Sequence, residues 1–168
     1  MLIARKYNLK VIEDNAQAPG ATYYDKYAGC VSDIGVFSLN YHKHIHTGEG
    51  GVCVTNNNNL AERMQLIRNH AEAVVEGKGV TNLVNMIGFN FRMGEVEAAI
   101  GIEQLKRLNK NIKIRNQNHK IFLEHLRSDI FFKNFNLKGS SNYGLHLILQ
   151  KKDPNLFKKI LKILDQNF

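Results

Sequence analysis

The first hundred residues alternate short apolar runs with turns that are rich in glycine and polar residues. A helical segment, Leu2–Tyr7, opens the chain, and Asn56–Asn59 form a turn and helix cap before apolar residues at helical spacing. Three segments between them have the length and the β-branched and aromatic content of buried strands: Lys10–Glu13, Asp33–Leu39 and Gly51–Thr55. This alternation of strands and helices predicts an α/β layer.

From Gly94 onward the apolar residues recur at helical spacing over a much longer stretch. A polar break precedes its continuation from Ile112 to Leu126, and the first part of the apolar stripe consists of Val96, Ala99, Ile100, Ile102, Leu105 and Leu108. The pattern then predicts a strand, Leu145–Leu149, and an amphipathic helix, Asn155–Leu164. Since one strand and one helix cannot bury an independent core, they indicate the start of a second, small domain.

Composition places the chain among ordinary globular proteins. It has 168 residues, of which 43% are hydrophobic and 23% charged. No apolar run reaches the length of a membrane-spanning helix, and the start lacks the pattern of a secretory signal, so we expect a cytoplasmic protein with no membrane partner. The two cysteines, Cys30 and Cys53, are too few and too far apart to indicate a disulfide framework or a zinc site.

The positive charge lies in the second part of the chain. The formal net charge is +8; residues 1–103 hold 9 Lys and Arg against 11 Asp and Glu, whereas residues 104–168 hold 14 against 4. A basic half is one feature of nucleic-acid-binding modules. Here the lysines are dispersed and no aromatic residues are interleaved to stack on bases, which favours a solvated helix face and no nucleic-acid partner. Steep salt-dependent binding to DNA would be needed to support the alternative.

Three chemically important groups follow the predicted strands in order. Asp14 lies in the run Glu13–Ala18, Ser38 ends a strand, and Lys43 precedes the glycine-rich turn Thr47–Gly51. Taken singly, the aspartate is typical of a cap and the glycines of a turn. At the carboxyl ends of strands, where open α/β sheets bind ligands, they match the needs of pyridoxal phosphate. This cofactor requires a lysine for a Schiff base, a carboxylate facing its pyridinium nitrogen, and hydroxyl or amide donors for its phosphate.

Five sequence blocks, in the correct order, resemble the DegT/StrS family of pyridoxal-phosphate-dependent sugar aminotransferases. The blocks are EDNAQA, FSLNYHK, TGEGG, LIRNH and GFNFRMGEVEAAIGIEQL, and they extend over about residues 1–110. The resemblance implies a fold-type I aminotransferase, an α/β fold with a mostly parallel sheet flanked by helices. Residues 1–110 would be the second half of the cofactor-binding large domain, and residues 111–168 a connecting helix and an incomplete small α+β domain at the C-terminal end.

The resemblance also implies roles for individual side chains. Asp14 would pair with the pyridine nitrogen, Ala16 would pack against the ring face, and Gln17 would hydrogen-bond the phenolic oxygen. Ser38 would contact the phosphate. Lys43 would form the Schiff base and act as the base of the reaction, since a lysine amine becomes a usable base when it is desolvated or covalently bound.

The block GFNFRM would lie near a dimer interface. There Asn90 would reach the phosphate of the neighbouring subunit, and Arg92 would lie near the substrate. The expected reaction moves an amino group from an amino acid, with glutamate as the expected donor, to a keto nucleotide sugar, for surface-glycan or deoxyaminosugar biosynthesis. Some relatives carry histidine in place of the lysine and catalyse dehydration, so Lys43 favours transamination.

Two alternatives to this interpretation depend on other features. The histidines His42, His44 and His46 alternate as on a strand face, but no carboxylate or cysteine lies at a usable spacing, so we expect no metal.

The family's phosphate-binding helix N-terminus and ring-stacking aromatic residue are not found before Asp14. We therefore expect an internal or truncated portion that is a homodimer or complements a missing N-terminal half. The alternative is an inactive remnant that serves only as an interaction or structural protein.

Overall fold

The computed structural model describes residues 1–71, 86–131 and 138–167. Within these ranges the chain forms a mixed α/β structure. The elements, in chain order, are α1 (Leu2–Lys6), β1 (Ile12–Asp14), β2 (Thr22–Tyr23), β3 (Lys26–Tyr27), β4 (Ile34–Ser38), β5 (Gly51–Val54), α2 (Asn58–Arg68), α3 (Glu95–His125) and α4 (Pro154–Asn167).

Strands β1, β4 and β5 form one three-stranded sheet in the order β1-β4-β5. β1 and β4 are parallel, with Asp14 in register with Val36, whereas β4 and β5 are antiparallel, with Ser38 opposite Gly51. The carboxyl ends of β1 and β4 therefore meet at the same sheet edge, where β5 begins. Asp14 and Ser38 both lie at this edge.

The first strand begins two residues later than the sequence predicts. The Asp33 carboxylate accepts a hydrogen bond from Lys10 Nζ at 2.9 Å and another from the Val11 N–H at 2.9 Å. Lys10 and Val11 are therefore held by a side chain, and the regular strand starts only at Ile12. The other two predicted strands of this sheet are confirmed within a residue at each end.

A short connection packs the β2–β3 hairpin against the sheet. Tyr24 and Asp25 form the hairpin turn with left-handed backbone angles, φ 46° and 61°. After the hairpin, Gly29 lies so close to Gly35 of β4 that a methyl group at position 35 would overlap the Gly29 backbone. The sheet can accept this connection because both residues are glycine.

Helix α2 begins at the predicted cap. The Asn57 side chain accepts a hydrogen bond from the Leu60 N–H at 3.1 Å. The far end of the helix binds the backbone of residues 89–91. The Phe89 N–H donates to the Ile67 carbonyl at 2.7 Å, and the Phe91 N–H donates to the Arg68 carbonyl at 3.0 Å.

Helix α3 runs continuously through the predicted polar break. Asn111, in that break, donates its side-chain amide to the His44 carbonyl at 2.9 Å, so its polarity is satisfied outside the helix. Further along, Arg115 Nη1 donates to the Tyr143 carbonyl at 2.9 Å. One side of α3 therefore lies against the loop after β4 and the segment around residue 143. The proposed domain boundary after residue 110 falls inside this helix and stays a prediction.

The predicted strand Leu145–Leu149 is wrong in the described structure. Only Leu149 pairs, through an isolated antiparallel bridge to Phe131. A strand needs a row of backbone partners, and the described neighbours supply a single pair. The helix that follows is confirmed as α4, and the Asp153 carboxylate caps it by accepting from the Leu156 N–H at 2.9 Å.

Little of the apolar surface of the described residues is covered. Ile45 and Leu66 are their buried large apolar side chains, whereas Val96, Ile102 and Leu105 of α3 are 60–69% exposed. None of the described helices is long and apolar enough to cross a membrane.

Candidate functional site

Asp14 and Ser38 define one edge of the sheet. Asp14 is exposed, and its Oδ1 atom accepts a hydrogen bond from the Ala16 N–H at 3.0 Å, which turns the chain away from β1. Ser38 is half-buried, and its Oγ accepts from the Asn40 N–H at 3.2 Å. The edge therefore presents a carboxylate and a hydroxyl group from neighbouring parallel strands.

Lys43 lies in a closed loop that returns to this edge. Both backbone groups of Leu39 are bound: its N–H donates to the Gly50 carbonyl at 2.8 Å, and its carbonyl accepts from the Thr47 N–H at 2.9 Å. Within the loop, the Lys43 N–H donates to the Asn40 carbonyl at 3.0 Å. These bonds make residues 39–50 a compact loop that begins beside Ser38 and ends at β5.

The Lys43 side chain reaches an aromatic ring from a distant part of the sequence. Its Nζ atom lies 4.9 Å from the centroid of the Tyr143 ring, within the range of a cation–π interaction. The Arg115 guanidinium lies 5.9 Å from the same centroid. Lys43 is half-buried, and its amine lies over the ring.

The residue after Lys43 anchors the loop. His44 is buried, and its Nε2 lies 2.8 Å from the Ser141 carbonyl oxygen, so Nε2 carries the proton and donates it. Burial lowers the pKa of His44 below its ordinary value; the Ser141 carbonyl opposes this shift, and the charges of Arg115 and Lys43 add to it. His44 is therefore a neutral link between the Lys43 loop and residue 141.

Gln17 lines a cleft together with the same aromatic residue. Gln17 is exposed, and the cleft has a volume of about 240 Å³. Polar side chains dominate the rest of the lining, which consists of His119, Ser140, Asn142, Tyr143, Gly144 and His146. Tyr143 thus contacts Lys43 and borders the cleft that Gln17 lines. Ala16, half-buried, lies between Gln17 and the sheet edge in sequence.

Asn90 and Arg92 are located by α2 rather than by the sheet edge. Asn90 forms an antiparallel bridge with Asn69, and Arg92 Nη1 donates to the Asn69 side-chain oxygen at 2.9 Å. Asn69 is buried, whereas Asn90 and Arg92 are exposed. The two exposed residues are therefore held at the surface, and their roles at a neighbouring subunit stay predictions.

The part of the chain that the structure describes contains no group of three His, Cys, Asp or Glu residues arranged to hold a metal ion. His44 is engaged by Ser141 rather than aligned with its histidine neighbours.

Sequence reasoning missed Tyr143, Arg115 and Ser141 as parts of this site. They lie about 70 to 100 residues beyond Lys43. Arg115 stands on the polar side of a long helix, and the other two stand in a serine-, asparagine- and glycine-containing loop. Neither context differs from that of an ordinary surface residue, so no signal in the sequence could have connected them to Lys43.

Comparison with known proteins gives information on the family and the fold of the chain. The model of the DegT/DnrJ/EryC1/StrS aminotransferase family matches residues 1–167. The chain is 31% identical over 145 residues to the UDP-4-amino-4,6-dideoxy-N-acetyl-beta-L-altrosamine transaminase of Campylobacter jejuni, which covers 86% of this chain and 38% of that protein. It is 41% identical over 117 residues to the GDP-perosamine synthase of Caulobacter vibrioides, covering 67% of this chain and 29% of the synthase.

The fold is also found among solved structures. The structure of the E. coli GDP-4-keto-6-deoxy-D-mannose-3-dehydratase with bound hydrated PLP superposes with a TM-score of 0.83 at 29% identity, covering 99% of this chain and 46% of the dehydratase. The prediction of a partial fold-type I aminotransferase architecture is thereby confirmed. The chain spans less than half the length of each of these relatives.

Proposed function

Because the chain belongs to the DegT/DnrJ/EryC1/StrS aminotransferase family, we propose that it serves in the pyridoxal-phosphate-dependent transfer of an amino group to a keto nucleotide sugar. The amino donor is an amino acid, with glutamate expected. The observation that carries this proposal is the sheet edge at which Asp14, Ser38 and the Lys43 loop come together. The similar transaminase and synthase support the substrate class, which leads to surface-glycan or deoxyaminosugar biosynthesis.

The residues at this edge fit the cofactor by their chemistry. Lys43 supplies a primary amine from the loop after β4, Asp14 supplies an exposed carboxylate from β1, and Ser38 supplies a hydroxyl group from β4. Lys43 would hold the cofactor covalently, Asp14 would bind its pyridine nitrogen, and Ser38 would bind its phosphate. Gln17 would bind its phenolic oxygen, and Ala16 would pack against its ring.

The chain's own residues then perform three tasks. When bound, pyridoxal phosphate supplies an electron sink for the electrons of the C–H bond that breaks at the amino-bearing carbon. With the cofactor bound, Lys43 Nζ would move a proton between the amino-bearing carbon of the substrate and the cofactor carbon that carries the amino group. Asp14 would keep the pyridine nitrogen protonated, because a nearby carboxylate favours the charged form of a base. Gln17 would donate its amide to hold the ring orientation.

The exposed apolar residues of α3 fit a homodimer. Ile102 and Leu105, three residues apart, are exposed on one face of the first half of the helix, and Phe89 and Phe91 stack on each other at a centroid distance of 4.9 Å beside Asn90. Exposed apolar clusters are typical of a protein interface, and a second copy covers such a surface. A second copy that covers it would bring Asn90 and Arg92 toward a neighbouring site. We assign the activity to the cytoplasm as part of the same proposal.

Titration with pyridoxal phosphate tests the proposal first. We expect a protein-dependent absorbance band in the wild-type chain and in Lys26→Ala, a matched surface substitution, and no such band in Lys43→Ala. The loaded chain should then release 2-oxoglutarate from glutamate and aminate a UDP- or GDP-linked keto sugar, as detected by mass spectrometry. A chain that binds no cofactor, either alone or with the N-terminal half of a full-length relative added in trans, would contradict the proposal and would support the inactive-remnant alternative.

A further inference from the structure

Among the described residues, Lys43 has an aromatic partner and no ion-pair partner. Its Nζ lies 4.9 Å from the Tyr143 ring centroid, and the ion pairs among the described residues do not include it. The negative face of an aromatic ring attracts an ammonium group without forming a tight ion pair. We infer that Tyr143 is a positioning residue for the Lys43 amine; the inference rests on the proposed function of Lys43.

The Tyr143 backbone is held in place from α3. Its carbonyl accepts from Arg115 Nη1 at 2.9 Å, and the neighbouring Asn142 side chain donates to the Asn116 side-chain oxygen at 2.8 Å. Two residues earlier, the buried Ser141 accepts from His44 Nε2. The segment that carries the ring is thus fixed both to the long helix and to the loop that carries Lys43.

These contacts link the Lys43 loop, the segment that carries Tyr143, and α3 to one another. His44 follows Lys43 directly and binds Ser141, while Lys43 itself reaches the ring of Tyr143. Asn111 of α3 additionally binds the His44 carbonyl. Because the loop and the segment that carries the ring are tied to each other and to one helix, these contacts fix the two backbone segments between which Lys43 reaches the ring.

The Tyr143 ring restricts the position of the flexible Lys43 side chain. A lysine side chain has four flexible bonds, and its rotamer freedom disperses the amine over a wide volume. The Tyr143 ring restricts the amine to the neighbourhood of the ring, and Tyr143 itself lines the cleft that Gln17 also lines. The contact thereby keeps the amine near the place where the cofactor would bind.

Chemical labelling without any cofactor tests this inference. Formaldehyde with cyanoborohydride, applied briefly, methylates lysine amines, and peptide mass spectrometry gives the labelling of Lys43 relative to exposed Lys26 in the same sample. In Tyr143→Leu we expect this ratio to rise roughly two- to fivefold over wild type, the size expected for loss of a cation–π contact. In Tyr143→Phe, which keeps the ring, the ratio should stay near the wild-type value.

The contrast between Tyr143→Leu and Tyr143→Phe decides whether the ring positions the Lys43 amine. A ratio that is unchanged in Tyr143→Leu, or that rises equally in Tyr143→Phe, would overturn the positioning role. Circular dichroism checks the fold, and Tyr143→Met replaces the leucine variant if that variant does not fold, because methionine fills a similar volume without a ring. This readout does not depend on the cofactor, so it stands even if the proposed function fails.

A second readout distinguishes positioning from simple shielding. If Tyr143 positions the amine, Tyr143→Leu should label faster with formaldehyde and yet capture pyridoxal phosphate at Lys43 more slowly than wild type, and Tyr143→Phe should restore capture. Faster reaction with both aldehydes would show that the ring only shields the amine and would overturn the inference. A wild-type chain that captures no pyridoxal phosphate would refute the proposed function, and the labelling ratio would still decide the role of Tyr143.

Discussion

The Glu13 carboxylate accepts a hydrogen bond of 2.7 Å from the backbone N–H of Ser32. It also accepts from the Val31 and Gly29 N–H groups, each at 2.9 Å. Glu13 and Asp14 are adjacent acids in β1, but Glu13 is turned into the fold and binds three amides, whereas Asp14 is exposed at the sheet edge. The two carboxylates therefore have separate tasks, the first structural and the second open to a ligand.

We predict that Glu13→Gln destabilises the chain by about 1–3 kcal/mol, the usual result of leaving a backbone donor without its acceptor. Glutamine keeps the oxygen that faces Val31 and Ser32 but places an amide group toward the Gly29 N–H. Urea denaturation measures the free energy of unfolding. The matched variant Glu62→Gln, on the half-buried side of α2, should change it by less than about 0.5 kcal/mol. Equal effects in the two variants would contradict the structural role.

The same contact predicts an acid response. Burial opposes ionisation of Glu13, but the hydrogen bonds from Gly29, Ser32 and Val31 outweigh it and lower the pKa below its ordinary value. The unfolded chain then binds more protons, so the stabilisation is present above the unfolded pKa, about 4.3, and is lost as the pH falls through the folded value. Glu13→Gln should remove this part of the acid dependence.

His44 predicts a second response at higher pH. Its folded pKa is lowered, chiefly by burial, so the unfolded chain takes up a proton first as the pH falls. Stability contributed by neutral His44 should therefore decline below the unfolded pKa of about 6.5. His44→Gln, which keeps a donor for the Ser141 carbonyl, should flatten the stability profile between pH 7 and 5. A profile as steep as that of the wild type would assign the decline to other groups.

Gly35 predicts a steric limit on β4. A methyl group there would overlap the Gly29 backbone, which is tied to Glu13 and cannot shift freely. Gly35→Ala should cost about 1–3 kcal/mol, as expected for overpacking. Gly144→Ala is the matched control, since a methyl at that position meets only His146 at 3.9 Å. Thermal unfolding of both variants checks the difference, and equal midpoints would contradict it.

The sequence indicated most of the regular elements but not how distant segments meet. Strand β5 and helices α2 and α3 follow from apolar periodicity and caps, which are local. The β2–β3 hairpin gave no signal, because Tyr24 and Asp25 occupy left-handed turn positions where glycine or asparagine is usual. The strand at Leu145–Leu149 failed because pairing depends on a neighbour that apolar content does not reveal.

The residues of the candidate site were also only partly predictable from the sequence. Asp14 and Ser38 could be placed together from sequence because parallel strands end at a common edge, and Lys43 follows five residues after Ser38. The partner of Lys43 could not be predicted. Tyr143 is 100 residues away, and its contact with the amine depends on α3 passing beside both segments.

Asp14→Asn tests the carboxylate at the sheet edge. Asparagine is nearly isosteric with aspartate, so the fold should be kept. It carries no charge, so it cannot stabilise a protonated pyridine nitrogen. Cofactor affinity should fall about 10- to 100-fold, the equivalent of one charge-assisted hydrogen bond. Asp25→Asn is the control, because asparagine tolerates the left-handed turn position that Asp25 occupies. A pyridoxal phosphate titration with equal dissociation constants for both variants would exclude the assigned role.

The most direct test of the account is to locate the cofactor on the chain. Borohydride reduction of the protein loaded with pyridoxal phosphate fixes the bound group covalently, and peptide mass mapping identifies the modified lysine. We predict a single pyridoxyl adduct on Lys43. An adduct on Lys26 or Lys78 in place of Lys43, or no adduct at all, would contradict the central claim that the closed loop after β4 carries the cofactor-binding amine.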